Sequence, residues 1–281
     1  MIVVTGATGN VGRELVQTLI ASGTEVIAVS RNIADAALPE RVHARPADLA
    51  DPETLPQAFD GATALFLMLS GAGAQQTDVT AVLQVAKASG VERVVLLSSQ
   101  GVLTRPNSPT HGILMRTIEQ AVEQSGIDWT ILRPGGFASN AYAWAETIRA
   151  QRAVYAPFGD VGLPVIDPAD IAAVAAAALQ QDGHAGNAYL LSGPALVTPR
   201  QRAAAISEAL SEPIQFIEID RQQALEQMTQ FMPESIADTT LNILGQLTPD
   251  EQQISPDVHG ILGRPENTFA DWIKRNIATF K

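Results

Sequence analysis

Between a short apolar run, Met1–Thr5, and a helical pattern carried by Val11, Leu15, Val16, Leu19 and Ile20 stands Thr5-Gly6-Ala7-Thr8-Gly9-Asn10-Val11-Gly12. Three glycines, with two residues between each and the next, at a strand-to-helix junction constrain the fold more than any other part of the chain. Gly6 permits a tight turn, Gly9 lets the backbone approach a ligand, and Gly12 allows the helix to pack closely. The helix start then presents unpaired N–H groups and a partial positive charge, which together cradle a pyrophosphate. The expected cofactor contacts here are Thr5, Gly6, Thr8, Gly9, Asn10, Val11 and Gly12. The competing reading is a glycine-rich turn that binds nothing.

The alternation that begins at this loop continues for about half the chain. Strand-like runs at Glu25–Ser30, Val42–Arg45, Thr63–Leu69, Val94–Ser98 and Trp129–Leu132 are separated by helical patterns. Val79, Val82, Leu83 and Ala86 mark one buried helix face; Leu114, Ile118, Ala121 and Val122 mark another, within a helix expected over Ile113–Gln124. Asp51 and Pro52 read as the cap and first position of a brief helix. Strands that are almost wholly apolar are buried on both faces, so this half predicts an α/β fold with a Rossmann-type, doubly wound parallel sheet. After Pro134 the rhythm breaks. Helical patterns predominate (Ala138–Ala150, Ala169–Gln181, Arg200–Leu210, Gln222–Gln230, Phe269–Phe280), with short strands near Val154–Tyr155, Tyr189–Ser192 and Gln215–Ile219. The expected division is a dinucleotide-binding domain over residues 1–135 and a smaller, mainly helical C-terminal part over 136–281 that caps it, the two interleaved.

Composition excludes several classes. With 30 acids against 18 bases the formal charge is −12, and no basic stripe exists to engage nucleic acid. There is no cysteine, which removes disulfides, thiolate metal sites and a cysteine nucleophile. His43, His111, His184 and His259 are scattered without ligand spacing, so no metal is expected. The longest apolar helical run, Ile171–Leu179, is far shorter than the roughly 20 residues of a bilayer span, and the N-terminus shows no basic-then-apolar leader. A cytoplasmic protein acting on a small molecule, with no membrane partner and compatible with a homodimer, is the expectation.

A cofactor preference is legible at the end of the second strand. An NAD site usually carries an acid about 20 residues past the loop, bonded to the ribose 2′-hydroxyl. Here Val29-Ser30-Arg31-Asn32 has none, and Arg31 can instead pair with a 2′-phosphate through its planar fork. Arg13 offers a second cation. NADP(H) is therefore expected over NAD(H), unless both arginines are solvated surface residues. Asp48 and Leu49 follow the third strand, where Asp48 either accepts from the adenine amine or caps a turn. Met68, Leu69 and Ser70 end the fourth, where backbone and small side chains would border the ribose and nicotinamide.

Ser98, Ser99 and Gln100 end the fifth strand, placed either to hydrogen-bond a substrate carbonyl or to cap the strand. Beyond the sixth, Gly135-Gly136-Phe137-Ala138-Ser139-Asn140-Ala141-Tyr142-Ala143-Trp144 concentrates aromatics in a chain holding only three tryptophans, three tyrosines and eight phenylalanines. Phe137, Asn140 and Trp144 are the substrate-contact candidates; the helical spacing equally permits the aromatics to pack in a core.

Taken together, Thr5–Gly12, Arg31, Ala47–Leu49, the Trp129–Pro134 segment, Val165–Ala172 and the tail from Gly263 to Trp272 resemble the NmrA-like NAD(P)-binding family of atypical short-chain dehydrogenase/reductases. The resemblance covers nearly the whole chain. It implies a Rossmann domain whose C-terminal part completes a substrate cleft, in a family holding reductases of quinones, dyes and phenolic compounds beside dinucleotide sensors without turnover. Catalytic short-chain reductases place a proton-donating tyrosine and a lysine four residues apart after the fifth strand. The corresponding positions here are His111 and Met115, and no tyrosine or lysine lies between Ser98 and Gln124. His111, as a general acid, together with Ser98 and Gln100 are thus the catalytic candidates. The expected function is an NADPH-dependent reductase of a small conjugated or aromatic acceptor, quinone- or enone-like, whose delocalisation lowers the need for a proton donor. The alternative is an NADP(H)-binding redox sensor.

Overall fold

The computed structural model describes every residue except 32, 34–38, 40 and 70. The chain runs β1 (Ile2–Thr5), α1 (Asn10–Ala21), β2 (Val26–Ser30), β3 (Val42–Pro46), α2 (Leu55–Phe59), β4 (Ala64–Met68), α3 (Gly71–Gln76), α4 (Val79–Ala88) and β5 (Arg93–Leu97). It continues through α5 (Gly101–Thr104), α6 (Leu114–Glu123), β6 (Asp128–Pro134), α7 (Ala145–Gln151), β7 (Ala153–Ala156), α8 (Pro168–Gln180) and β8 (Asn187–Leu191). The last elements are α9 (Pro199–Leu210), β9 (Gln215–Glu218), α10 (Arg221–Met228), α11 (Glu234–Gly245), α12 (Asp257–Leu262) and α13 (Phe269–Asn276).

These elements form two compact units. The first comprises Met1–Pro134, Pro168–Leu191 and Asp257–Gly263. Among the described residues its seven strands form one parallel sheet in the order β3-β2-β1-β4-β5-β6-β8. The interior strands are the apolar runs of the sequence, and alternate residues face opposite layers. Val3, Ile27, Leu65, Leu67, Val94, Leu96 and Ile131 join one core cluster with Leu55, Phe59, Val82, Leu83, Ile118 and Val122 from α2, α4 and α6. On the other face α8 lies against α1 and against β4, β5 and β6. The edge strand β3 is largely exposed and ends in Pro46, which costs nothing where no neighbour needs its N–H.

The sixth-strand rhythm predicted from sequence does not end the sheet. α8 and β8 return to it, with Leu132 of β6 in register with Tyr189 of β8. The strand expected near Tyr189–Ser192 is β8, whose first residues are exposed at the sheet edge. The alanine-rich α8 is buried over most of its length, because small side chains let it seat close to α1.

The second unit comprises Gly135–Asp167, Ser192–Pro256 and Arg264–Lys281. β7 and β9 pair in parallel, and a core of Ala138, Ala141, Ile148, Val154, Ile206, Phe269, Trp272, Ile273 and Phe280 surrounds them. The single helix expected over Ala138–Ala150 is a 3-10 segment, Ala138–Trp144, followed by α7. α11 follows the helix expected over Gln222–Gln230, in a stretch where the sequence pattern gives no second helix. Among the described residues no helix is long and apolar enough to cross a membrane.

Candidate functional site

The glycine loop follows the carboxyl end of β1, beside β4, and the sheet order reverses between these two strands. Such a reversal opens a crevice beyond the strand ends. Thr5 is buried (1% exposed) and its hydroxyl is shared between the Phe66 carbonyl (2.9 Å) and the Met68 N–H (2.8 Å). It fastens β1 to β4 and holds the loop's entry, so its side chain is engaged within the sheet.

The loop's glycines are required by contact. Gly6 has φ +62°, and a Cβ there would stand 2.1 Å from Met68 Cε. A Cβ on Gly12 would stand 2.2 Å from the Gly6 carbonyl oxygen and 2.9 Å from Ala7 Cα, so the first turn of α1 rests directly on the loop backbone. Gly9 is the N-cap, extended at φ −78° and ψ 175°, and its own N–H bonds the Gly6 carbonyl at 2.9 Å.

Capping distinguishes α1 from α4, α9, α10 and α13. Asp78, Thr198, Asp220 and Thr268 cap α4, α9, α10 and α13 with their side chains. α1 has no side-chain cap bond and no acid in its first turn. Its first N–H groups therefore keep their demand for an acceptor, which an anionic group meets. This bare start, behind a backbone wall that no Cβ could line, fits a dinucleotide pyrophosphate. Thr8 is half-buried, Val11 is buried and Asn10 is exposed beside them. Arg13 is exposed and donates back to the Thr8 carbonyl at 3.1 Å.

Arg31 directly follows β2 and is exposed. Asp48 accepts from the Ala50 N–H at 3.1 Å, the turn-capping arrangement, while its backbone N–H and C=O both engage the Thr54 hydroxyl. Leu49 and Leu69 are partly buried against the first unit's core. Ser70 lies outside the described residues. Met68, at the carboxyl end of β4 where the sequence placed it, covers Gly6 with its methyl group.

At the end of β5 the expected roles change. Ser98 is buried, and its hydroxyl donates to Glu119 Oε1 at 2.6 Å. A serine has one hydroxyl proton, so this bond removes Ser98 as a donor to a substrate carbonyl. Glu119 is fully buried and also receives Arg133 Nε (2.9 Å), Arg133 Nη2 (2.8 Å) and Arg116 Nη1 (3.1 Å). Burial alone pushes this carboxyl up, but the hydrogen bonds from Arg133 and Ser98, with the Arg133 charge and the Arg116 bond, hold it below its ordinary value. The acid thus ties α6 to the ends of β5 and β6. Gln100 is half-buried; its N–H bonds the Pro134 carbonyl (3.0 Å) and its side chain makes no cap bond on α5.

His111 lies in a single π-helical turn, Pro109–Ile113, and α6 begins only at Leu114. His111 and Met115 are therefore not one regular helical turn apart on a common helix, as their spacing implied. A Cβ on Gly101 would stand 2.8 Å from His111 Cβ, so the turn is seated on α5. His111 Nδ1 and the Thr110 hydroxyl are 2.9 Å apart. Burial lowers the imidazole's pKa, so the ring takes up a proton less readily than a free histidine.

Phe137, Asn140 and Trp144 belong to the second unit. Phe137 is half-buried beside Ile166, whose carbonyl accepts the Ala138 N–H at 2.8 Å, and Asn140 is exposed. Tyr142 and Trp144 pack against that unit's core; Tyr142 stands 5.0 Å from Trp272 between ring centroids. The Arg202 guanidinium lies over the Trp144 ring at 5.0 Å, so that face is already taken and cannot stack on a flat substrate.

The sequence matches the NAD(P)H-binding family over residues 6–182. It is 35% identical to an NAD(P)H azoreductase of Xenophilus azovorans, across 100% of this chain and 99% of that protein. It is also 35% identical, over the same shares, to a (4-alkanoyl-5-oxo-2,5-dihydrofuran-3-yl)methyl phosphate reductase of Streptomyces griseus. Among solved structures it resembles the NADPH-dependent quinone oxidoreductase QOR2 of Escherichia coli complexed with NADPH, with a TM-score of 0.78 and 25% identity over 99% of both chains. These matches agree with the NmrA-like resemblance carried by the sequence.

Proposed function

The chain belongs to the NAD(P)H-binding family, and from that membership we propose that it is an NADPH-dependent reductase of a small conjugated or aromatic acceptor. The observation that carries the cofactor half is the uncapped start of α1 against the Gly6–Gly12 backbone contact. NADPH supplies a hydride when bound. The N–H groups of Asn10, Val11 and Gly12 hold its pyrophosphate, with Thr8 alongside and Thr5 positioning the loop. Arg31 and Arg13 take the 2′-phosphate, while Asp48, Leu49 and Leu69 border the remainder.

The acceptor class follows from what the residues after β5 leave undone. Ser98 has its proton committed to Glu119 and burial lowers the pKa of His111, so neither is a ready proton donor at pH 7. A quinone, azo compound or enone spreads incoming charge over its own conjugated system and needs little from such an acid. Gln100 is the remaining candidate donor there, and Phe137 and Asn140 are the substrate candidates on the second unit. The names of the relatives, an azoreductase, a dihydrofuranyl phosphate reductase and a quinone oxidoreductase, support this class. NADPH absorbance followed with a panel of quinones, azo dyes and enones should show oxidation with at least one of them. Tight NADPH binding with no oxidation above background would instead support a redox sensor without turnover.

Preference for NADPH rests on Arg31. Arg31→Ala is expected to weaken NADPH binding about tenfold while leaving NADH binding unchanged, since a charge-assisted bond is worth about 1.5 kcal/mol. Fluorescence titration of both cofactors measures the ratio; an unchanged ratio removes Arg31 from the 2′-phosphate.

A further inference from the structure

Arg202 is a buried cation without a counter-charge. It follows the Thr198 cap in the first turns of α9, where the helix dipole is positive and a cation is disfavoured. The residue is 9% exposed, its Nε is sealed from solvent with no hydrogen-bond partner, and burial pulls its pKa down to about 10. It remains charged at neutral pH. Among the described residues none gives its guanidinium a carboxylate or an accepting oxygen. Other arginines of the same unit differ. Arg200 pairs with Asp160 and Glu218, each at 3.0 Å, Arg152 with Glu212, and Arg221 with Asp238.

The guanidinium carbon sits 5.0 Å from the centre of the Trp144 ring, a contact that attracts the charge but supplies no accepting oxygen to its N–H groups. A buried charge with unused donors is strongly disfavoured unless a partner arrives. A second orphan, the Ser139 hydroxyl (4% exposed), lies on the Ala138–Trp144 segment that carries Trp144.

We propose that Arg202, stacked on Trp144, is an anion-binding subsite of the second unit that takes an oxyanion with two oxygens in the guanidinium plane. A carboxylate, phosphate or sulfonate group presents that geometry to the arginine fork. The occupant is either the acidic group of an organic molecule or a free inorganic anion.

Calorimetric titration of the full chain, without NADPH, separates these and is independent of the reductase reading. The probes are benzoate, its neutral analogue benzamide, and inorganic phosphate. Benzoate should bind at least about tenfold more tightly than benzamide, a difference of about 1.4 kcal/mol, and Arg202→Met should erase that difference. Arg202→Lys keeps the charge without the fork and should fall between. Benzoate should also change tryptophan fluorescence, and the change should vanish in Trp144→Phe. Phosphate binding that is lost in Arg202→Met while benzoate fails would assign the site to a free inorganic anion. Failure of both anions to bind the wild-type chain, or equal binding to wild type, Arg202→Met and Arg202→Lys, would overturn the proposal. Arg202→Met is expected to fold, because it removes a buried unpaired charge and keeps apolar contact with Trp144; the lysine variant supplies the test in any case.

Discussion

Replacing Gly12 by alanine is expected to lower NADPH affinity about a hundredfold, or about 2.7 kcal/mol, with the fold retained. The added methyl would stand 2.2 Å from the Gly6 carbonyl oxygen and 2.8 Å from the Gly6 carbonyl carbon. Those are backbone atoms and cannot swing aside, so either α1 lifts or the loop shifts. Either movement separates the first N–H groups of α1 from the wall that faces them, and a pyrophosphate must span both. Overpacking of this kind costs about 1–3 kcal/mol of stability, which a domain of this size can tolerate. The neighbouring glycines should rank below it. A methyl on Gly9 would meet the Gly6 oxygen at 3.2 Å, a distance that small shifts relieve, and one on Gly6 meets the mobile end of Met68 but also incurs the strain of φ +62°. Isothermal titration of NADPH into each variant, beside denaturant unfolding, gives the order. An affinity for Gly12→Ala within about threefold of wild type would detach the loop from cofactor binding.

Glu119→Ala should destabilise the chain by about 3–5 kcal/mol in denaturant unfolding at pH 7, the largest stability effect expected of a single substitution here. The carboxylate receives four hydrogen bonds from three side chains, and its loss strands Arg133 at the sheet. Arg116 is less affected, because it keeps Glu123 through bonds of 2.9 and 3.1 Å. Glu119→Ala/Arg133→Met should recover part of the loss, since removing both charges leaves no uncompensated one. The pH dependence has a definite sign. The folded-state pKa of Glu119 lies below the unfolded value of about 4.3, so its contribution is complete above that value and disappears as pH falls through the folded pKa. Wild type should therefore lose stability below about pH 4.3 more steeply than Glu119→Ala. Equal acid sensitivity of the two would show that Glu119 is not held as a carboxylate in the folded chain.

These two residues were differently visible in the sequence. The spacing Gly6, Gly9, Gly12 signals itself because backbone geometry restricts the residue type, and the restriction is local. Glu119 carries no such mark. It reads as one more acid on an amphipathic helix, and only the arrival of Ser98 from β5 and Arg133 from β6 makes it a buried hub. The same cause explains Ser98. A hydroxyl at a strand end looks available for a substrate until the fold puts a carboxylate 2.6 Å away. The setting of His111 was hidden for a related reason. Spacing says nothing of burial, and burial lowers its pKa.

By itself the sequence determined the parallel sheet, through apolar runs buried on both faces, and the dinucleotide loop, through glycines that local geometry demands. It also placed Arg31 where an acid usually stands, because that position is a fixed distance along the chain. Tertiary structure decided what depends on residues far apart in sequence. It returned α8 and β8 to the sheet after an insertion of 33 residues, Gly135–Asp167. It closed the Trp144 face with Arg202, and among the described residues it gave that arginine no counter-charge. Charge pairing and burial are properties of surroundings, and the surroundings exist only once the chain has folded.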